Sequence, residues 1–280
     1  ARGACDLSAV TICDVGPRDG LQNDPVTLEP VVRAALVDRL AAVGLPRIEA
    51  VSFVHPTRVP QMAGAEEVVA AIEPRPGATY AGLVLNERGY DRFATTSLTE
   101  LHYAFAVSEE FNQRNAGAST EDSVVAGERV VERARADGIR ATVTLGTSFG
   151  CPFEGAIDPG RVLELAARFV AGGADEIVFA DTVGVGVPRQ VRHLVGEGVA
   201  EGARREDVAV DRYDLIAGYG LRPELGHRPL HGRVAACAAL SRPPLARLVP
   251  TARRWPASRR LARSDAECPN PSDASAGVAG

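Results

Sequence analysis

Six Val- and Ile-rich runs, each followed by a segment of helical periodicity, constrain this chain more than any other feature. The runs are "AVTICDV", "RIEAVSF", "TYAGLVL", "LHYAFAV", "IRATVTL" and "DEIVFAD", spread between Ala9 and Asp181. Continuous apolar runs of this length fit strands buried on both faces. Three intervening segments carry clear helix grammar. "LEPVVRAALVDRLAAVG" predicts an apolar face of Val32, Leu36, Leu40 and Val43 and a stop at Gly44. "TEDSVVAGERVVERARADG" predicts a cap at Thr120, a stripe of Val124, Val131 and Ala134, and a stop at Gly138. "DPGRVLELAARFVAGG" repeats the pattern from Asp158 to Gly172.

Strands alternating with helices imply parallel strands joined by crossovers, hence a doubly wound sheet or a (β/α)8 barrel. The first strand-to-helix turn lacks G-x-G-x-x-G, which weighs against a dinucleotide fold. Polar clusters follow the strands instead, where barrel enzymes carry their chemistry. The expectation is an α/β chain of TIM-barrel type with about six recognisable βα units over residues 1–188. "DVAVDRYDLIAGYG" offers a seventh strand, and no eighth unit stands out. With two strands missing, the sheet would have open edges and an exposed core.

The chain changes character near residue 190. Up to Pro188 it has 16 Arg against 26 Asp and Glu; from Arg189 on, 15 Arg against 10. From Ser241 the last 40 residues hold 7 Arg and 6 Pro, a density that breaks helices and central strands. The region 189–280 is therefore read as a divergent Arg/Pro/Ala-rich segment, partly disordered. It contains the kind of sequence that GC-rich DNA yields out of frame, and frameshift or recombination is the expected origin. All 31 basic residues are arginine. A net charge of −5 gives no reason to expect nucleic acid. No apolar run approaches a membrane span, and the opening residues show none of the apolar stretch of a secretory signal. The five cysteines are scattered, which suits a reducing cytoplasm.

Chemistry concentrates at Gly16-Pro17-Arg18-Asp19-Gly20, where flanking glycines and Pro17 should let the chain turn sharply and deliver Arg18 and Asp19 together. A carboxylate suits a hard cation, and an arginine suits a developing oxyanion. Four segments then follow in order: "VGPRDGLQND", "IEAVSFVHPTRVPQMA", "GCPFEG" and "DTVGVGVP". Together, over Val10 to Pro188, they resemble the 3-hydroxy-3-methylglutaryl-CoA lyase family, within the metal-dependent barrel lyases and Claisen-type synthases.

The resemblance implies retro-Claisen cleavage of an acyl-CoA to acetyl-CoA and acetoacetate, as in leucine degradation and ketone-body formation, with Mg²⁺ or Mn²⁺. It implies that Arg18 polarises the thioester carbonyl and steadies the enolate, and that Asp19 ligates the metal. It further implies that Glu49 is a site carboxylate supporting Arg18. Asp181, with Thr182 beside it, would handle the proton of the substrate hydroxyl, and Gln22 and Ser52 would touch substrate. The partner expected is an acyl-CoA, with neither nucleic acid nor membrane; a homo-oligomer is compatible with it. His55 is read as a loop histidine, Cys151 as structural, and "SEEFNQRN" as a polar loop.

The resemblance also implies a His-x-His metal pair on the seventh strand and a glycine-rich loop with a reactive cysteine. Neither is present: the five histidines, at 55, 102, 193, 227 and 231, form no such pair. Pro229 rules out a regular helix presenting His227 and His231 together. The expectation is a site with one of four expected metal ligands and doubtful activity. The alternatives are a Claisen-type acyltransferase of the same group, or an inactive remnant that binds acyl-CoA.

Overall fold

The computed structural model describes residues 11–200, 208–212 and 236–239. All six expected strands form: β1 (Thr11–Asp14), β2 (Arg47–Ser52), β3 (Thr79–Val84), β4 (Glu100–Ala106), β5 (Arg140–Gly146) and β6 (Glu176–Asp181). The seventh, β7 (Val208–Arg212), lies inside the stretch expected for it. Strands β1 to β7 pair in chain order, each parallel to the next. An eighth strand, β8 (Ala236–Ala239), was not expected; it runs antiparallel to both β7 and β1 and closes the barrel. The open edges expected of β1 and β7 are thereby paired. The tail expectation beyond residue 240, His227, His231, Cys5 and Cys268 lie outside the described residues.

Seven helices lie between or after the strands: α1 (Pro30–Ala42), α2 (Ala65–Ala71), α3 (Glu87–Phe93), α4 (Glu109–Ala116), α5 (Thr120–Ala136), α6 (Pro159–Gly172) and α7 (Pro188–Ala200). Helix α6 begins as expected, with the Asp158 carboxylate accepting from Gly160 N at 3.0 Å. In α5 the cap is Ser119, one residue before the expected Thr120; its hydroxyl accepts from Asp122 N at 3.0 Å. Val124, Val131 and Ala134 are buried as a stripe, and Gly138 stops the helix with φ +71°.

Helix α1 corrects its predicted face. Val32 and Val43 are exposed, and the buried side is Arg33, Ala34, Val37 and Ala41. Arg33 turns inward because its guanidinium finds an acceptor, donating to Ala63 O at 2.7 Å. Leu36 and Leu40 of the predicted stripe are half-buried, and Leu40 packs against the core. "SEEFNQRN" is likewise α4 and not a loop. Its buried Asn112 bonds to Ala106 N, Ala118 O, Ser119 O and Ser123 Oγ, satisfying a polar residue inside the wall.

Between α5, α6 and the sheet, Tyr103, Phe105 and Phe169 pack with ring centroids 5.5–6.4 Å apart. Gly127 is the gap in α5 that admits them: a Cβ there would stand 2.5 Å from the Tyr103 ring and 2.9 Å from Phe169. On α7, Gly196 is exposed and a Cβ would meet nothing. Gly127→Ala should therefore cost about 1–3 kcal/mol by overpacking, despite alanine's better helix propensity. Gly196→Ala should add up to about 1 kcal/mol. Urea unfolding of both variants checks the pair; the same sign for both would contradict this packing.

Candidate functional site

The residues after β1 build the mouth. Asp14, the last residue of β1, accepts from Gly16 N at 2.8 Å, and a Cβ on Gly16 would press to 3.0 Å from that carboxylate. Gly16 is thus required for close approach, whereas neither it nor Gly20 adopts a left-handed φ. The chain instead makes one wide π-type turn over Gly16–Gly20, with Arg18 N and Asp19 N both donating to Val15 O. A wide turn sets the two consecutive side chains inward together, and both are buried.

Arg18 is gripped from two sides. Its Nη1 donates to Asp19 Oδ1 at 2.8 Å, and its Nε donates to Glu49 Oε1. Glu49 sits on β2 at an irregularity in the pairing with β3, between Glu49 and Val51. Such bulges re-aim side chains near sites. The second oxygen of Glu49 meets His102 Nδ1, on β4. From there the charges continue to the floor of the barrel: His102 Nε2 lies 3.3 Å from Glu100 Oε1, and Glu100 accepts from Arg47. Arg47 Nη1 donates to Glu176 Oε2 at 2.9 Å, and Glu176 also accepts from Arg140 at 2.7 Å.

The arrangement follows barrel geometry. Inward residues of alternate strands form layers. One layer is Arg47, Glu100 and Glu176, from β2, β4 and β6; the next on β2 and β4 is Glu49 and His102, two residues on. Burial alone would push Glu49 up, but Arg18 and His102 outweigh it and hold the carboxyl at about 2. Burial likewise opposes ionisation of Glu100, and His102 and Arg47 hold it at about 2. Burial would push His102 down; Glu49 and Glu100 carry it up to about 9.

A pocket runs along this chain of charges. Arg18, Gln22, Glu49, His102 and Asn115 lie on its polar side, and Val54, Leu83 and Leu85 on an apolar side. The expected residues Arg18, Asp19, Glu49 and Gln22 thus come together, and Gln22 Oε1 is buried with no hydrogen-bond partner among the described residues. Ser52 is fully buried and off the cavity wall. Asp181 and Thr182 end β6 away from that wall. The Asp181 carboxylate accepts from Val185 N at 3.0 Å and Gly186 N at 2.9 Å, and Thr182 Oγ1 accepts from Thr147 N at 2.8 Å. His55 is an exposed loop residue, and Cys151 is buried in a short bridge with Gly155.

Sequence reasoning did not single out His102, Glu100, Arg47, Arg140 or Glu176. A signal existed: β2, β4, β5 and β6 each open on a charged residue, and charge recurs two residues on in β2 and β4. For the metal that the resemblance implies, the donors do not fit. Among the described residues no group of three His, Cys, Asp or Glu could hold an ion. Glu49, the nearest carboxylate to Arg18 besides Asp19, is taken by Arg18 and His102.

Removing one member of such a buried set leaves its partners uncompensated. Glu49→Gln should cost about 3–5 kcal/mol in urea unfolding at neutral pH; a loss no larger than that of an exposed pair would contradict this reading.

The HMGL-like family model matches residues 9–207, past Pro188 where the sequence resemblance was drawn to end. An (R)-citramalyl-CoA lyase of Chloroflexus aurantiacus is 42% identical over 198 residues, covering 67% of this chain and 62% of that protein. The chain thus spans less than two thirds of that relative's length. A hydroxymethylglutaryl-CoA lyase structure from Pseudomonas aeruginosa superposes with a TM-score of 0.70 at 39% identity, covering 74% of this chain and 69% of the other. An HMG-CoA lyase structure from Acinetobacter baumannii, with coenzyme A and 3-methylmalate, gives 0.71 at 30% identity, covering 76% and 68%. The chain belongs to the HMGL-like family, among the hydroxymethylglutaryl-CoA lyases and their relatives.

Proposed function

We propose that this chain is by descent a carbon–carbon lyase that splits a 3-hydroxy-3-methylglutaryl-CoA-type thioester into acetyl-CoA and acetoacetate. The observation that carries the reading is Arg18 on the cavity wall, held between Asp19 and Glu49. In a retro-Claisen step the substrate hydroxyl loses its proton, the adjacent C–C bond breaks, and its electron pair passes to the thioester as an enolate. That enolate then takes up a proton to become acetyl-CoA. A fixed guanidinium beside the thioester oxygen stabilises the charge as it forms. Glu49 keeps Arg18 in place, and Gln22, on the same wall with a buried Oε1 that has no partner among the described residues, is a residue to meet substrate. The resemblance assigns the hydroxyl proton to Asp181, which stands off the cavity wall with its carboxylate held by the amides of Val185 and Gly186. No step is routed through a metal, because the described donors do not assemble a site for one.

The missing His-x-His supports a second reading for the molecule as written: it holds an acyl-CoA without turning it over. The cytoplasm is its proposed setting; no helix among the described residues is long and apolar enough to cross a membrane. We also propose that the Arg/Pro-rich segment arose by frameshift or recombination. Support comes from the charge reversal near residue 190 and the end of the family match at residue 207. Reading the alternative frames of the gene for a His-x-His and a G-G-x-G-G-C-P segment tests this; finding neither contradicts it.

Purified protein incubated with 3-hydroxy-3-methylglutaryl-CoA, with and without Mg²⁺, decides between the readings. The lyase reading predicts slow acetoacetate release that Mg²⁺ does not raise and that falls about 10²-fold in Arg18→Met. Thioester binding with no release supports the remnant, and condensation of acetyl-CoA with a 2-oxo acid supports the acyltransferase. Fast, Mg²⁺-dependent turnover lost in Asp19→Ala would show a complete metal site and overturn the account of an impaired one.

A further inference from the structure

Among the described residues, His102 links the carboxylate at the mouth of the barrel to the one at its floor. It is buried on β4, with Nδ1 against Glu49 Oε2 and Nε2 3.3 Å from Glu100 Oε1. Both ring nitrogens therefore face carboxylate oxygens. A neutral imidazole has one N–H and one lone pair, so one of these contacts would set lone pair against lone pair. Only the imidazolium donates to both.

We propose that His102, as an imidazolium, is a positioning residue for the site. It holds Glu49 from behind, and Glu49 in turn fixes the Arg18 guanidinium. The inference rests on the lyase reading for what Arg18 does, and on geometry alone for how it is held. Glu49 has two oxygens and divides them, Oε1 to Arg18 and Oε2 to His102. Take away the imidazolium and the carboxylate is free to rotate about its terminal bond, carrying the guanidinium with it.

The surroundings agree with a charged ring. Glu49 and Arg47 face the region from β2, Glu100 from β4, Cys13 from β1, Thr142 from β5 and Glu176 from β6. A charged His102 faces both Glu49 and Glu100, whose other described cationic partners are Arg18, Arg47 and the half-exposed Arg140. With the ring neutral, these two buried carboxylates would lose one of their compensating charges in a low-dielectric interior, which is costly. Cys13 adds no negative charge of its own, because burial and the same carboxylates push its thiol up and keep it protonated.

The test is nitrogen-15 NMR of histidine- and arginine-labelled protein. In the wild type both His102 ring nitrogens should be protonated at pH 7.5; a neutral tautomer there overturns the proposal without any variant. Hydrogen exchange at Arg18 Nε–H should be at least about tenfold faster in His102→Gln and His102→Leu, since a loosened hydrogen bond opens more often. Unchanged exchange in a folded variant also overturns it. The affinity for 3-hydroxy-3-methylglutaryl-CoA, titrated between pH 7 and pH 9, should fall with rising pH in the wild type and stay flat in His102→Gln. Equal pH profiles in the two proteins count against a positioning role. A wild type that binds no thioester defeats the lyase reading instead, and the ring protonation and Arg18 exchange still judge His102.

Discussion

A chain of opposite charges threads this barrel from mouth to floor, and the site exists only as its upper end. Asp19, Arg18, Glu49, His102, Glu100, Arg47, Glu176 and Arg140 follow one another through direct contacts, and all but Arg140 are buried. Barrel interiors are more often filled with branched apolar side chains. Here Arg47, Glu49, Glu100, His102 and Glu176 take inward positions of β2, β4 and β6, so part of the core is electrostatic. Such a core is stable only if every member keeps its partners, because unpaired buried charge is costly while a satisfied network is rigid. That rigidity is what a preorganised site needs: Arg18 need not be held by the substrate.

The alternation of strands and helices was legible because buried parallel strands require continuous apolar runs, and all six land where "AVTICDV" through "DEIVFAD" lie. Legibility failed where polar atoms set the geometry. On α1 the buried side includes Arg33, whose partner, the Ala63 carbonyl, lies thirty residues away in sequence. Asn112 anchors, by its buried amide, a helix in a segment that looks polar enough for a loop. Strand β8, built from "ACAA", carries no pattern that distinguishes it from a helix.

The site divides in the same way. Arg18, Asp19 and Glu49 were expected together from the resemblance and are found together. His102 was counted only as one of five histidines, since a lone histidine in a strand gives no sign of what faces it. Its role becomes visible through three-dimensional register, which sets it between Glu49 in its own layer and Glu100 in the layer below, two residues before it. Asp181 and Thr182 stand at the end of β6, where their side chains accept from backbone amides of the loops beside them. The metal half has no counterpart among the described donors. The features that descent shares with the lyases and those peculiar to this chain therefore meet at Glu49.

The central claim is that a charged His102 completes the network, and the pH dependence of folding tests it most directly. A histidine raised from 6.5 to about 9 in the folded chain contributes stability that is complete below 6.5 and lost as pH rises through about 9. Glu49 and Glu100, held at about 2, stay ionised across that window and add no slope of their own. The measurement is the free energy of urea unfolding from pH 6 to pH 7.5, below the range in which cysteines ionise in the unfolded chain, about 8.5. The account predicts a steady decline in the wild type that is absent in His102→Gln. A flat wild-type curve, or the same decline in both proteins, would contradict it.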